Sequence, residues 1–343
     1  MAITLADAQK NCQSDIDFSV IDHYRRSSWL LDQLQFDDCV NPAGGGATLT
    51  YGYTRLVNAR LGAFRAINSE YTPGKATRTQ ATVDLKPVGD AFEVDRVLAN
   101  LGPAATNEVA FQMGEAIKGA TNKFVAEIVN GDTAVDTNGF DGLDKILTGS
   151  STEFFGSKVP DSNEYIDWTS STVSTEALAH SAIDVFEEFL SLVVGGADAV
   201  IGNRKSIGRL RALARRAGYY TRGEDSFGNL AERYGNTVLI DAGTKVANES
   251  TTETDIVATE SRDVDGDSGG TTAAVAGLTD LYAVNFGLDA FHGVSTVGQL
   301  VKTWLPDFSS AGAVKKGEVE MGPVAVALKR TTGAAVLRNI KVL

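Results

Sequence analysis

The chain has 343 residues, 43% of them hydrophobic, and a formal charge of −13 from 31 basic and 44 acidic side chains. That length predicts two or three compact units, and the apolar content suffices to bury cores, which excludes wholesale disorder. Two cysteines and three histidines cannot build a disulfide framework and leave few materials for metal or acid–base chemistry, and so acidic a chain is poorly suited to gripping nucleic acid over a broad surface.

Met1–Asp7 lacks the basic and apolar regions of a signal peptide, and no apolar run approaches the ~20 residues of a membrane span, so no membrane partner is expected. Ile16, Val20, Ile21 and Tyr24, then Trp29–Leu31 and Leu34, predict one or two short amphipathic helices. Asn41-Pro42-Ala43 and Gly44–Gly46 break the chain. The glycine run lacks the Gly-Lys-Ser/Thr ending of a phosphate loop and reads as a hinge. Thr48–Thr54, Ala63–Asn68 and Thr77–Leu85 alternate like strands, with a turn at Pro73-Gly74. A ribbon this polar near its turn buries little of itself, so an arm lying on something else is expected.

The strongest helical pattern runs from Asn107 to Asn130, with Val109, Met113, Ala116, Ile117, Ala120, Phe124 and Ile128 on one stripe and Gly131 placed to end it as a C′ residue. Gly114 and Gly119 inside it lower its intrinsic stability. Residues 131–172 read as loop. A second helix follows Thr175 and closes at Gly195-Gly196; its His180 shares a polar face with Asp184 and Glu187, as a solvated histidine does. Ala197–Gly202 reads as a buried strand. Ser206–Ala217 reads as a helix whose polar face carries Arg209, Arg211, Arg215 and Arg216, with Arg204 and Lys205 just before it. Short strands are predicted at 236–241, 254–258 and 280–286, and the C-terminus from about Glu318 reads as strand-rich, with runs at 324–328 and 334–340. Helices mixed with short strands, without regular βαβ units, predict an α+β fold.

Two motifs invite chemistry. Gly266-Asp267-Ser268-Gly269-Gly270 resembles the nucleophile loop of serine hydrolases, and Ser268 followed by Asp280 or Asp289 and then His292 has the chain order of a hydrolase elbow. The string lies in a Gly/Ser/Thr/Asp loop rather than on a strand-to-helix turn, so chance similarity is the preferred reading. Asp263, Asp265 and Asp267 open like an EF-hand, but Ser268 replaces its glycine and Ala274 its glutamate. No catalytic, cofactor or metal residues are assigned.

The order of parts resembles that of the major capsid proteins of tailed bacteriophages, with the Hong Kong 97-type fold. The hairpin around Pro73-Gly74 looks like that family's extended loop, and Leu85–Asp95 like its return. The helix from Asn107 resembles the spine helix. Asn138-Gly139-Phe140-Asp141-Gly142-Leu143 resembles the Gly-Phe-x-Gly-Leu segment after it, and Ala199–Arg204 with its Leu/Arg helix resembles the axial strand–helix unit. The resemblance implies an N-terminal arm (1–47), an extended loop (48–90), a peripheral domain with the spine helix (91–172), an axial domain (173–300) and a C-terminal return (301–343). It also implies hexamers and pentamers closing an icosahedral shell around double-stranded DNA in the virion, assembled in the host bacterial cytoplasm. Implied partners are further copies, a separate scaffolding protein, a portal and decoration proteins. Some relatives join a loop lysine to a neighbour's asparagine; Lys75 and Asn339 are the nearest counterparts, without a secure alignment. An encapsulin shell protein is the alternative, and a Ser268 hydrolase the remote one.

Overall fold

The structure, a computed structural model of the chain, describes residues 29–40, 48–100, 108–155, 165–169, 173–218, 220–224, 230–245, 254–264, 274–296 and 301–343. The expected helix over Ile16–Tyr24, the Gly44–Gly46 hinge and the Gly266–Gly270 string lie outside these residues. In chain order, α1 (Trp29–Gln33) leads into β1 (Phe36–Cys39); β2 (Thr50–Asn58) and β3 (Thr77–Asp84) form the hairpin. β4 (Lys86–Asp95) and the single-turn α2 (Arg96–Ala99) precede the long α3 (Glu108–Asn130) and short α4 (Leu143–Leu147). Then come β5 (Glu153–Phe155), β6 (Ile166–Asp167), α5 (Glu176–Ser191), β7 (Ala199–Gly202) and α6 (Arg204–Ala217). The rest is strand: β8 (Tyr220–Glu224), β9 (Leu230–Tyr234), β10 (Thr237–Asp241), β11 (Glu260–Arg262), β12 (Val275–Val284), β13 (Phe291–Thr296), β14 (Val301–Trp304), β15 (Val314–Leu328) and β16 (Ala334–Lys341). The fold is α+β.

The main helices form where the apolar period places them, and each of the later two is opened by a side-chain cap. Thr175 caps α5 through the Leu178 amide; Asn203 caps α6 through the Ser206 amide at 2.8 Å. Gly218, at φ 76°, closes α6 in the left-handed conformation. Two strand expectations fail, and one loop expectation fails in part. Residues 63–68 form no strand: the hairpin strands stop at Asn58 and restart at Thr77, and the intervening chain is exposed. Residues 254–258 contribute only an isolated bridge, Thr244 to Asp255. The loop region 131–172 contains α4 and two short parallel strands on β16.

Two sheets carry the body. Nine strands run in the order β5-β16-β12-β7-β10-β9-β8, with β11 on β12 and β6 on β16. Both faces of this sheet are covered, so its central strands are apolar on both sides. Val200, Leu239, Leu281, Ala283, Ala335 and Leu337 face α5 and α6; Ile201, Ile240, Tyr282, Val284 and Val336 face the core shared with α3 and the second sheet. That second sheet is organised on β15, which pairs with β14 over Glu318–Met321 and with β13 over Val324–Leu328. β4 follows its other edge from Val314 to Val324. The β4 register shifts between Met321 and Val324, where Pro323 offers no amide to the ladder.

Gly131 does not end α3 as a left-handed C′ residue. Its glycine is required by space: a Cβ there would lie 2.2 Å from the Phe140 carbonyl oxygen, and one on Gly142 would lie 2.4 Å from the Glu127 carbonyl oxygen. The two glycines let the 139–143 segment close on the helix end through a Gly142 N–H to Gly131 C=O bond of 2.8 Å. Phe140 is thereby delivered against Phe124 with ring centroids 5.7 Å apart, and Leu143 is fully buried. Gly114 has nothing within 4 Å of a prospective Cβ, and Gly119 meets only the Asp90 carboxylate at 3.5 Å.

Gly131→Ala should lower stability by about 1–3 kcal/mol through overpacking, whereas Gly114→Ala should raise it by about 0.5–1 kcal/mol through helix propensity. Thermal unfolding of the two variants beside the parent measures both.

Candidate assembly surfaces

Among the described residues no group of three His, Cys, Asp or Glu is placed to hold a metal. No helix among the described residues is long and apolar enough to cross a membrane. Of the hydrolase elbow, Ser268 lies outside the described residues, as do Asp265 and Asp267, while Asp263 is exposed. Asp280 is buried and engaged by arginine: Arg262 Nη1 reaches Oδ1 at 2.7 Å and Arg338 Nη1 reaches Oδ2 at 3.1 Å. The Asn339 amide also donates to Asp280, at 3.0 Å. Asp280 lies on β12 of the nine-stranded sheet and His292 on β13 of the other, so sequence order did not bring that pair into one site. His180 is exposed, as its polar face predicted.

Arg338 is the centre of a polar cluster that sequence reasoning missed. It sits on β16 in the run Ala334–Ile340, and a lone cation in so apolar a strand was the available signal. Besides Asp280 it pairs with Asp144 and with Glu153 at 2.9 Å, and it donates to Thr148 at 2.9 Å. Tyr282 donates to Asp144 at 2.9 Å; burial, then the surrounding carboxylates, hold this phenol well above its ordinary range. The cluster ties α4, β5, β12 and β16 together. Asn339 has φ 57° and its side-chain oxygen accepts from Arg262 at 3.1 Å, while Lys75 is exposed near the hairpin tip.

The hairpin is the most exposed part of the described chain. Tyr51, Tyr53 and Arg55 alternate inward at its root, opposite Val83, Ala81 and Thr79. From residue 56 to residue 80 every residue is exposed. Leu61, Phe64 and Ile67 are more than nine-tenths accessible, an arrangement that a monomer has no reason to keep. The root is clamped to the second sheet. Tyr51 donates to Asp37 at 2.7 Å and Tyr53 to the Leu328 carbonyl at 3.1 Å. Arg55 reaches the carbonyls of Lys329, at 3.0 Å, and of Leu328. Lys329 pairs with Asp37 at 3.7 Å and lies 5.4 Å from the Tyr51 ring. Burial and the Asp37 hydrogen bond push the Tyr51 phenol up, and burial and Asp37 push up the nearby Cys39 thiol.

His292 completes the root. It is fully buried, meets Tyr51 edge-on at 5.8 Å, and neither ring nitrogen has a partner at full hydrogen-bond geometry. Burial, then Lys329, depresses its pKa, opposed by the Ala290 backbone, Asp37 and Asp289. A depressed histidine pKa means the unfolded chain takes up the proton first. The stabilisation is therefore complete above the unfolded value of about 6.5 and is lost as pH falls through and below it. Denaturant unfolding at pH 7.5 and 5.0 should show a smaller acid loss in His292→Phe than in the parent, the difference between the two losses isolating this residue. Arg338→Ala should cost about 3 kcal/mol in the same assay at pH 7.5, because Glu153 loses its cation and Asp280 keeps only Arg262 and the Asn339 amide.

No family model matches the sequence, and comparison with curated proteins finds no similar sequence. Solved structures do match over the whole chain. An encapsulin, in the holo-SrpI complex from Synechococcus elongatus PCC 7942, superposes with TM-score 0.59 at 14% identity, covering 100% of this chain and 97% of that one. A protein of Mycobacterium phage Adephagia gives 0.57 at 13%, covering 100% and 99%. The capsid of Myoviridae phage XM1 gives 0.52 at 13%, covering 98% and 99%. With an α+β body, a projecting hairpin and a long helix packed on β4 and β15, the chain has the Hong Kong 97-type capsid fold.

Proposed function

We propose that the chain is the major capsid protein of a tailed phage, which assembles through hexamers and pentamers into an icosahedral shell around double-stranded DNA. The observation that carries this reading is the hairpin: an arm rooted firmly in the body whose outer half exposes Leu61, Phe64 and Ile67 to solvent. Burying such side chains against a neighbouring copy supplies association energy spread over many repeated contacts. In this reading residues 1–47 act as an arm, 48–90 as the extended loop, 91–172 and 301–343 as the peripheral domain, and 173–300 as the axial domain. The protein performs no chemistry of its own, works with a separate scaffolding protein, a portal and decoration proteins, and resides in the virion after assembly in the host cytoplasm. The −13 charge suits a wall that encloses DNA without gripping it tightly.

The likeness to an encapsulin supports a second reading, a cellular compartment shell. Contents separate the two: genomic DNA in the first, a cargo protein in the second.

The triple variant Leu61→Ser, Phe64→Ser, Ile67→Ser should keep its melting behaviour, because exposed substitutions change stability by no more than about 0.5 kcal/mol. Electron microscopy should show that it forms no closed shells. Normal shells from this variant would remove the hairpin's role.

A further inference from the structure

Charge along this chain is sorted by helix. Residues 159–203 contain eight acidic residues and no lysine or arginine; residues 204–223 contain seven lysines and arginines and no acid. The boundary falls between two helices that pack side by side on one face of the nine-stranded sheet, α5 and α6. On α5, Glu176, Asp184, Glu187 and Glu188 are all exposed. On α6, Arg204, Lys205, Arg215 and Arg216 are exposed and Arg209 and Arg211 half-buried. Part of this charge is used within the subunit. Arg211 pairs with Glu232 at 2.8 Å, Arg216 donates to the Val173 carbonyl, and Glu187 accepts from Tyr234 at 2.5 Å.

Helix stability explains only part of the remainder: Arg215 and Arg216 stand in the last turn of α6, where the helix dipole favours cations. Arg204 and Lys205 occupy the first turn of α6, where the helix dipole disfavours cations, and no acidic residue stands there to offset them. Six cations on one short helix also repel one another at i, i+4 spacing. The Arg204-Lys205 end is thus kept basic against both tendencies, and with Arg215 and Arg216 it makes an exposed basic face suited to a partner of opposite charge. This chain presents such a surface on the adjacent helix, of similar length at about 20–25 Å.

Identical subunits closing into a ring meet through heterologous contacts, in which one face of a copy meets a different face of the next. A chain with an acidic face beside a basic one satisfies that geometry with itself. We propose that the basic face of α6 docks against the acidic face of α5 in the next copy around the ring; this rests on the shell reading above. The partner is thus a second copy of this chain, held in register by charge. Such a contact is screened by salt, with a Debye length of about 8 Å at physiological ionic strength, and charges of this kind set association rate and partner choice more than raw affinity.

Three variants of the full chain test it by sedimentation and electron microscopy of rings and shells. Arg204→Glu with Arg215→Glu should raise the protein concentration needed for ring formation by about tenfold or more. Glu176→Arg with Asp184→Arg should do the same. The chain carrying all four substitutions should recover ring formation, because its faces are complementary again with the signs exchanged. All four substituted positions lie on exposed surface, and circular dichroism confirms folding; neutral Arg204→Gln with Arg215→Gln, which should flatten the salt dependence of assembly, serves if a reversal fails to fold. Unimpaired assembly of the α6 reversal, or no recovery in the fourfold variant, overturns the proposal. Loss of binding to a 30-base-pair duplex, with ring formation intact, would overturn it in favour of DNA as the partner of α6. A parent chain that forms no rings under any condition would instead sink the shell reading itself.

Discussion

Strand β15 is the element on which the rest of the molecule depends. Its fifteen residues hold β4 along one edge and β14 then β13 along the other, with the exchange falling at Gly322-Pro323. Proline can stand inside so long a strand only where the ladder is already interrupted, so the register shift and the change of partner occupy the same two residues. The outward half of β15 places β4 over α3 through Val319, Phe92, Met113 and Ala116. The inward half supplies Val324–Leu328 to the shared core and ends in the two carbonyls that receive Tyr53 and Arg55. Core, helix and hairpin are therefore tied to one backbone.

The polar cluster around Arg338 does a different job from the apolar core. Desolvating three carboxylates and two guanidinium groups is costly, and such clusters seldom add net stability over well-packed hydrophobic residues. What it supplies is position. Asp144 on α4 and Glu153 on β5 meet an arginine on β16, which meets an aspartate on β12, so the short segment after α3 has one place to sit on the sheet edge. Gly131 and Gly142 achieve the same end from the other side, by letting backbone approach backbone.

The parts legible in the sequence were those whose residues answer to a local rule. α3, α5 and α6 follow from their apolar period, and β16 from its alternation-free run of buried side chains. The α+β class followed from their mixture. Gly131 was legible as a helix end but not as a point of close packing, because the Phe140 carbonyl that demands it lies beyond a loop. Residues 63–68 alternate like a strand, yet have nothing to pair with across the hairpin and remain irregular. His292 entered the sequence reading only as the last member of the disfavoured elbow, and nothing there pointed to the hairpin root. One histidine in an apolar run reads the same whether it faces solvent or, as here, the ring of Tyr51 from another strand. The hairpin was only half legible: its turn was visible, while Phe64 and Ile67 were read inside a strand and Leu61 went unremarked.

The clamp on the hairpin root has a mechanical consequence. Contacts end at Arg55 on one strand and at Ala81 on the other, leaving a rod with no lateral support beyond them. A limb of roughly ten extended residues is about 30 Å long. A rotation of about 6° at its base then carries the tip by about 3 Å, close to the step between adjacent side chains on a strand. Bending concentrated at Tyr51, Tyr53 and Arg55 can thus shift the tip by one residue's spacing while the body stays rigid. A closed surface needs such latitude, because identical blocks in it must meet at more than one angle.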